Sequence, residues 1–289
     1  MSQETARAWA WSVDAGWQQA GEASISIASP AILFGETLFE SFRAHQGRWL
    51  AVPEHHSRLQ ASLRAWGWRS IPDLVELEAL LRDGLSKVGG TEAYARLTCW
   101  PEGTGGGPGL LPAVPAGFAL IVAQLNGGAS MEGQAVSVST AESIGRDSWA
   151  LPYDLKHGNY LPSRWAMREA RERGVEDVVL CRQDGSPVEA SAANLLLFDG
   201  RTWHTPLLGR DGLNGVARAR LVANGDIEES ACSAEYLETA IAMALVNSVR
   251  GLRFIRSYDG RALEVSGVGV ERLRTAWQKA VDGWLEASP

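Results

Sequence analysis

Asp154-Leu155-Lys156-His157-Gly158-Asn159-Tyr160, with Val188-Glu189-Ala190-Ser191-Ala192-Ala193-Asn194 on later strand material, decides how this chain is read. The first segment carries an amine beside a glycine, the second a carboxylate among small residues. An amine can hold an aldehyde as an imine, and a carboxylate can keep a ring nitrogen protonated so that the ring draws electrons. A lysine near its ordinary pKa is neutral at pH 7 only about one time in 2,500, a cost of roughly 4–5 kcal/mol that imine formation removes. Neither residue says much by itself. A lysine before a turn is usually a solvated side chain, and a strand glutamate normally faces water. Ala190, Ser191, Ala192 and Ala193 shift the balance, because they leave room for a flat group to lie close.

Other segments add anion-binding chemistry. Gly212-Leu213-Asn214-Gly215-Val216-Ala217-Arg218 is a glycine-bracketed turn entering a helix. Free N–H groups at such a start form a phosphate cradle, although a plain loop into a helix reads the same way. Arg58, in Glu54-His55-His56-Ser57-Arg58-Leu59, is a candidate bidentate phosphate ligand or a surface cation on an amphipathic helix. Asn247-Ser248 offers a hydroxyl where the apolar run Ile241–Val246 ends. Gly103-Thr104-Gly105-Gly106-Gly107-Pro108-Gly109 has no following lysine and is interrupted by Pro108, so it is no phosphate loop. His55 and His56 are adjacent and cannot face one metal from a helix, and no Gly-x-Ser-x-Gly elbow occurs.

Size and charge narrow the class. The 289 residues suffice for two domains, and 45% hydrophobic with 21% charged content is ordinary for a globular chain. A net charge of −7 without a basic stripe argues against nucleic-acid partners. The twelve tryptophans are scattered and read as core and interface residues. No secretory signal and no apolar run of membrane-spanning length is visible, and Cys99, Cys181 and Cys232 read as buried thiols; a cytoplasmic protein is expected.

The pattern predicts strand material with turns over 24–53, helices from Pro53 to Gly67 and over about 73–87, and strands at Tyr94–Trp100 and Ala116–Leu125. The stretch Asn126–Gly133 reads as a linker. Beyond it come a strand at Val136–Thr140, a helix at Pro162–Arg173 and strand material at Asp177–Cys181, Pro187–Phe198 and Trp203–Thr205. Helices at about 215–223, 234–244 and 268–286 alternate with a strand near Leu252–Arg256. The expectation is an N-terminal α/β domain over 1–125, a linker over 126–133 and a C-terminal cofactor-binding domain over 134–289.

Taken in order, F-G-E-T-L-F-E-S (34–41), H-H-S-R-L (55–59), K-H-G-N-Y (156–160), E-A-S-A-A-N-L (189–195), G-L-N-G-V-A-R (212–218) and N-S-V (247–249) resemble the fold-type IV, class IV aminotransferase-like enzymes of pyridoxal 5'-phosphate. That family includes branched-chain and D-amino acid aminotransferases and 4-amino-4-deoxychorismate lyases. The resemblance implies an α/β (α+β) fold, with a small N-terminal α/β domain, a larger C-terminal domain around a β-barrel core, and a homodimer with sites at the domain interface. It implies that Lys156 is the Schiff-base lysine and proton shuttle, that Glu189 holds the pyridine nitrogen and Arg58 the phosphate, and that the Val216 and Ala217 N–H groups cap that phosphate with Ser248 assisting. Asn194 ends the glutamate motif and is counted with the cofactor residues.

Within the family, Asn159 lies three residues beyond the lysine, Lys156 is followed by His157, and Asn214-Gly215 stands where aminotransferases commonly carry Pro-Gly. These features resemble the lyase, which forms 4-aminobenzoate and pyruvate in folate biosynthesis. The alternative is an aminotransferase acting on branched-chain or D-amino acids. Loop 102–109 lacks the arginine and histidine of D-amino acid enzymes and the arginine of many lyases, so Arg43 and Arg96 are the candidates for the substrate carboxylate. Tyr160 sits one residue nearer the lysine than in branched-chain enzymes.

Overall fold

The computed structural model describes residues 8–68, 71–102, 116–125, 130–146 and 152–288. It divides into two compact units. The first takes Met1–Ala129, Lys156–Asn159 and Trp284–Pro289; the second takes Ser130–Leu155 and Tyr160–Gly283.

In the first unit β1 (Ala8–Ser12), β2 (Gly16–Gln19), α1 (Pro30–Leu33), β3 (Leu38–His45), β4 (Arg48–Trp49), α2 (Val52–Trp66), α3 (Leu74–Val88), β5 (Ala93–Pro101) and β6 (Ala116–Gln124) follow in order. The strands form one antiparallel sheet, β2-β1-β6-β5-β3-β4. On β5 burial alternates residue by residue: Ala93, Ala95, Leu97 and Cys99 are buried while Tyr94, Arg96 and Thr98 are half-buried. That period of two is the mark of a strand with one apolar and one polar face. Helices α2 and α3 pack on the sheet, α2 on β3 and α3 on β6. Asp73 starts α3 with a reciprocal capping box to Glu76, and Gly67 in the left-handed conformation ends α2.

In the second unit come β7 (Val136–Thr140), α4 (Leu161–Glu172), β8 (Asp177–Cys181), β9 (Pro187–Ala190), β10 (Asn194–Phe198), β11 (Trp203–Pro206), α5 (Val216–Ala223), β12 (Glu228–Ser230), α6 (Ala234–Thr239), β13 (Ala242–Asn247), β14 (Gly251–Tyr258), β15 (Arg261–Ala262) and α7 (Val268–Ala287). The path β10-β13-β14-β7-β8-β9 returns to β10 through the pair Asn194↔Glu189, which closes a six-stranded barrel. One core cluster draws on all six strands: Val138, Val179, Ala190, Leu195, Leu245 and Ile255 are each almost fully buried. The fold is the mixed α/β, fold-type IV architecture expected.

Several boundaries differ from the sequence reading. Residues 126–129 of the expected linker lie outside the described residues, and 130–133 go with the second unit. Lys156–Asn159 groups with the first unit because it pairs with residues 35–39 there. The helix expected over 234–244 stops at Thr239, and Ala242–Asn247 is a strand. An apolar run such as Ile241–Val246 fits a fully buried strand as well as a helix, and barrel pairing decides it. Trp66, expected on the apolar face of α2, is exposed and donates to Glu36, whereas Leu59 and Leu63 are buried. Among the described residues no helix is long and apolar enough to cross a membrane.

Candidate active site

In the first unit, the lysine segment lies along the start of β3. Phe39 N–H donates to Lys156 O at 2.9 Å, Gly158 N–H donates to Thr37 O at 2.8 Å, and Leu38 and His157 form the antiparallel bridge between them. Lys156 Nζ sits 4.5 Å from the centre of the Phe39 ring, and the Arg96 guanidinium lies 3.5 Å from the same ring. Arg96 Nε also donates to Thr98 Oγ1 at 3.2 Å. Cross-strand partners Phe39↔Thr98 and Ser41↔Arg96 share a face, so one polar surface carries an amine, a guanidinium and the Ser41 and Tyr94 hydroxyls, which are 3.3 Å apart.

Arg43 is placed differently. It is four residues further along β3 from Phe39, about 13 Å of strand. Its guanidinium pairs with Glu92, which also takes His45 Nδ1 at 2.9 Å and the Gln46 N–H at 3.1 Å. Of the two arginines expected at the substrate, the structure brings only Arg96 to Lys156.

Phe39 and Glu40 point to opposite faces of β3, and Glu40 meets α2. His55 and Arg58, three residues apart on that helix, both reach it. Arg58 Nε and Nη2 donate to the two Glu40 oxygens at 2.7 and 2.8 Å, and His55 Nδ1 is 2.8 Å from Oε2. Burial alone would raise the Glu40 pKa, but the charges and hydrogen bonds of Arg58 and His55 hold it well below the usual carboxylate range. Burial pushes the His55 pKa down; Glu40 opposes this, and Arg58 and Lys156 add to it. His55 is therefore neutral. Since a carboxylate can only accept, its proton sits on Nδ1. The Cys99 thiol is pushed up to about 12 by burial, with Glu40 adding to the effect, so it is no nucleophile.

In the second unit the barrel closure gathers the other expected residues. Glu189 Oε2 accepts the Leu213 N–H at 3.2 Å, and Oε1 lies 3.2 Å from Arg146 Nε in an ion pair that is off-line for a hydrogen bond. Arg146 is itself buried, stacks 4.2 Å over Tyr153 and donates to Ser163 Oγ. Asn194 Nδ2 donates to Leu213 O at 2.8 Å. A Cβ at Gly215 would stand 2.2 Å from Asn194 Oδ1, so only glycine permits this approach. Gly215 offers no side chain to cap α5, leaving the Val216 and Ala217 N–H groups at the helix start. Arg218, buried, fixes the loop by donating to Asn214 Oδ1, Thr205 Oγ1 and Pro206 O. Ser248 is half-buried in the turn after β13, where Asn247 donates to Ala192 O and accepts from the N–H groups of Val249 and Arg250. Tyr160 precedes α4 as its N-cap.

These residues fit a phosphorylated pyridine aldehyde: an amine, a buried acid held by a backbone N–H and an ion pair, and an uncapped helix start reached through glycine. A family model described as amino-transferase class IV matches residues 37–258, well over half of the 289. The chain belongs to the class IV aminotransferase family. Among curated relatives of this class IV chain, a branched-chain-amino-acid aminotransferase-like protein of Arabidopsis thaliana is 25% identical over 90% of the chain, which spans only 48% of that relative. The branched-chain-amino-acid aminotransferase of Escherichia coli K12 is 24% identical, over 83% of the chain and 81% of the enzyme. The structure of a Brucella abortus aminotransferase bound to pyridoxal phosphate superposes with a TM-score of 0.84 at 21% identity, covering 96% of this chain and 99% of that one. These relatives are named as aminotransferases, not as the lyase that the lysine segment resembles.

Sequence reasoning missed Phe39, Glu40, His55 and Arg146 as partners of the candidate residues. The first two lie in the F-G-E-T-L-F-E-S motif, where strand alternation alone sends them to opposite faces. Arg146 had no signal, being a single arginine that no sequence motif marks.

Proposed function

We propose that this class IV enzyme is a pyridoxal phosphate aminotransferase moving the amino group of a branched-chain amino acid to a 2-oxo acid. The observation that supports it best is the shared position of Lys156 and Arg96 on Phe39. An amino acid presents an amine-bearing carbon next to a carboxylate, and this face offers a proton-carrying amine next to a guanidinium. The names of the relatives point the same way.

Bound pyridoxal phosphate supplies an electron sink that stores the amino group and stabilises negative charge at the substrate's α-carbon. In this reading Lys156 would hold the aldehyde, and its Nζ would carry a proton at the substrate's α-carbon. Glu189 would accept a hydrogen bond from the ring nitrogen and keep it protonated, while Arg146 and the Leu213 N–H hold the carboxylate in place. The Val216 and Ala217 N–H groups, Arg58 and the Ser248 hydroxyl take the phosphate, and Asn194 fixes the loop that presents the amides. Arg96 holds the substrate carboxylate. A homodimer is part of the proposal.

The lyase reading keeps its support in His157, the spacing of Asn159 and Asn214-Gly215. Purified holoenzyme separates the two. With leucine and 2-oxoglutarate it is expected to release glutamate over many turnovers and to stop after one without the oxo acid. Catalytic release of 4-aminobenzoate from 4-amino-4-deoxychorismate, with no turnover of leucine, valine or D-alanine, would instead establish the lyase.

A further inference from the structure

The lysine segment is a short extra strand laid on residues 35–39, and the two backbones meet unusually closely. A Cβ at Gly158 would lie 1.8 Å from Thr37 Oγ1 and 3.2 Å from Thr37 Cβ; across the same seam, a Cβ at Gly35 would lie 2.5 Å from Asn159 Oδ1. Gly35 needs glycine for its φ of +65° as well. Gly158 does not have a positive φ, so space is its only reason to be glycine. On the same seam Phe39 grips Lys156 twice, by its N–H on the lysine carbonyl and by its ring beneath Nζ.

We propose that Gly158 is a positioning residue for Lys156: its bare Cα lets the lysine strand dock against Thr37, and this docking sets where Nζ stands relative to Phe39 and Arg96. An alanine at 158 has to displace the strand or Thr37 by more than an ångström to reach ordinary contact. Turning Thr37 about χ1 does not clear the contact entirely, because its branched Cβ stays 3.2 Å from the new methyl and its χ1 choices are few. The displaced strand loosens the Phe39–Lys156 and Gly158–Thr37 hydrogen bonds and carries Nζ off the ring. A shift of that size at the reacting amine alters its proton affinity and its alignment with the substrate carbon.

The inference rests on the reading that Lys156 carries the cofactor, and the test keeps the two apart. Holoenzymes of the wild type, G158A, T37A and the double variant G158A/T37A are titrated with pH, following the absorbance of the bound cofactor. Each is also reduced with borohydride and mapped to find the modified lysine. G158A is expected to move the titration midpoint by about one pH unit, a tenfold change in proton affinity, and to lower kcat more than it raises KM. In the double variant the Oγ1 that obstructs the new methyl is gone, and the midpoint is expected to return most of the way to that of T37A. A folded G158A that titrates like the wild type overturns the proposal, and so does a double variant no closer to T37A than G158A is. If G158A does not fold, the double variant decides alone: a folded protein with the T37A midpoint supports the contact, and a misfolded or displaced one refutes it. An adduct mapping to another lysine in the wild type would instead sink the reading of Lys156 itself.

Discussion

Glu40 lies fully buried between two cationic or titratable neighbours, and what it does is decided by who keeps the protons. The folded protein holds the His55 pKa below its ordinary value of about 6.5, so the unfolded chain binds a proton there that the folded one refuses. The stability that His55 contributes is full above about pH 6.5 and drains away as pH falls below it. Glu40 works the same way lower down: its depressed pKa gives stability that is present above about pH 4.3 and lost on further acidification. Thermal unfolding followed from pH 8 to 4 is expected to show a first decline beginning near pH 6.5 and a steeper one below about 4.5. His55→Gln should flatten the first decline and leave the second. An unchanged slope between pH 5.5 and 7 in that variant would place the titrating group elsewhere.

At the scale of elements, the end of the barrel where β9 meets β10 concentrates charge in a dry place. Arg146 and Glu189 expose only 5% and 10% of their side chains. Removing one partner of such a pair leaves the other uncompensated and typically costs about 3–5 kcal/mol. Arg146→Met is therefore expected to lower the unfolding free energy by roughly that amount in denaturant titrations; a loss under about 1 kcal/mol would mean that water or the Leu213 N–H carries Glu189 unaided. Elements of this kind were only half legible in the sequence. Glu189, Asn194 and the Gly212–Ala217 turn could be picked out because glycine and small residues mark where backbones approach. The N-terminal hairpin Ala8–Ser12 with Gly16–Gln19 was missed, since its strands are only five and four residues long and are mostly half-buried, and β1 is placed by pairing with β6, more than a hundred residues later. The pairing of Arg43, expected at the substrate, with Glu92 was not legible, because nothing in the sequence shows that carboxylate, forty-nine residues away, closing on it.

For the whole molecule, sequence order and spatial grouping part company at the C-terminal end. Trp284 is almost fully buried and donates to Glu54, Ser288 donates to Trp49 O, and Arg48 reaches Leu285 O, so the last turn of α7 groups with the sheet and helices of residues 8–125. Burial of a tryptophan side chain is worth about 3–5 kcal/mol by truncation. Deleting 284–289 is accordingly expected to speed amide exchange in α2 while leaving β10 and β13 protected; uniform loss of protection, or none in α2, would contradict that grouping. The ring formed by β7, β8, β9, β10, β13 and β14 has a consequence for the chain's history as well. It is sealed at the rung that joins Glu189 to Asn194, with only four residues bridging them. Because neighbouring strand residues face opposite ways, adding or losing a single residue in that bridge would turn one of the two outward while the other stayed. Relatives that keep both chemistries are therefore expected to vary in the lettering of this hinge far more readily than in its length.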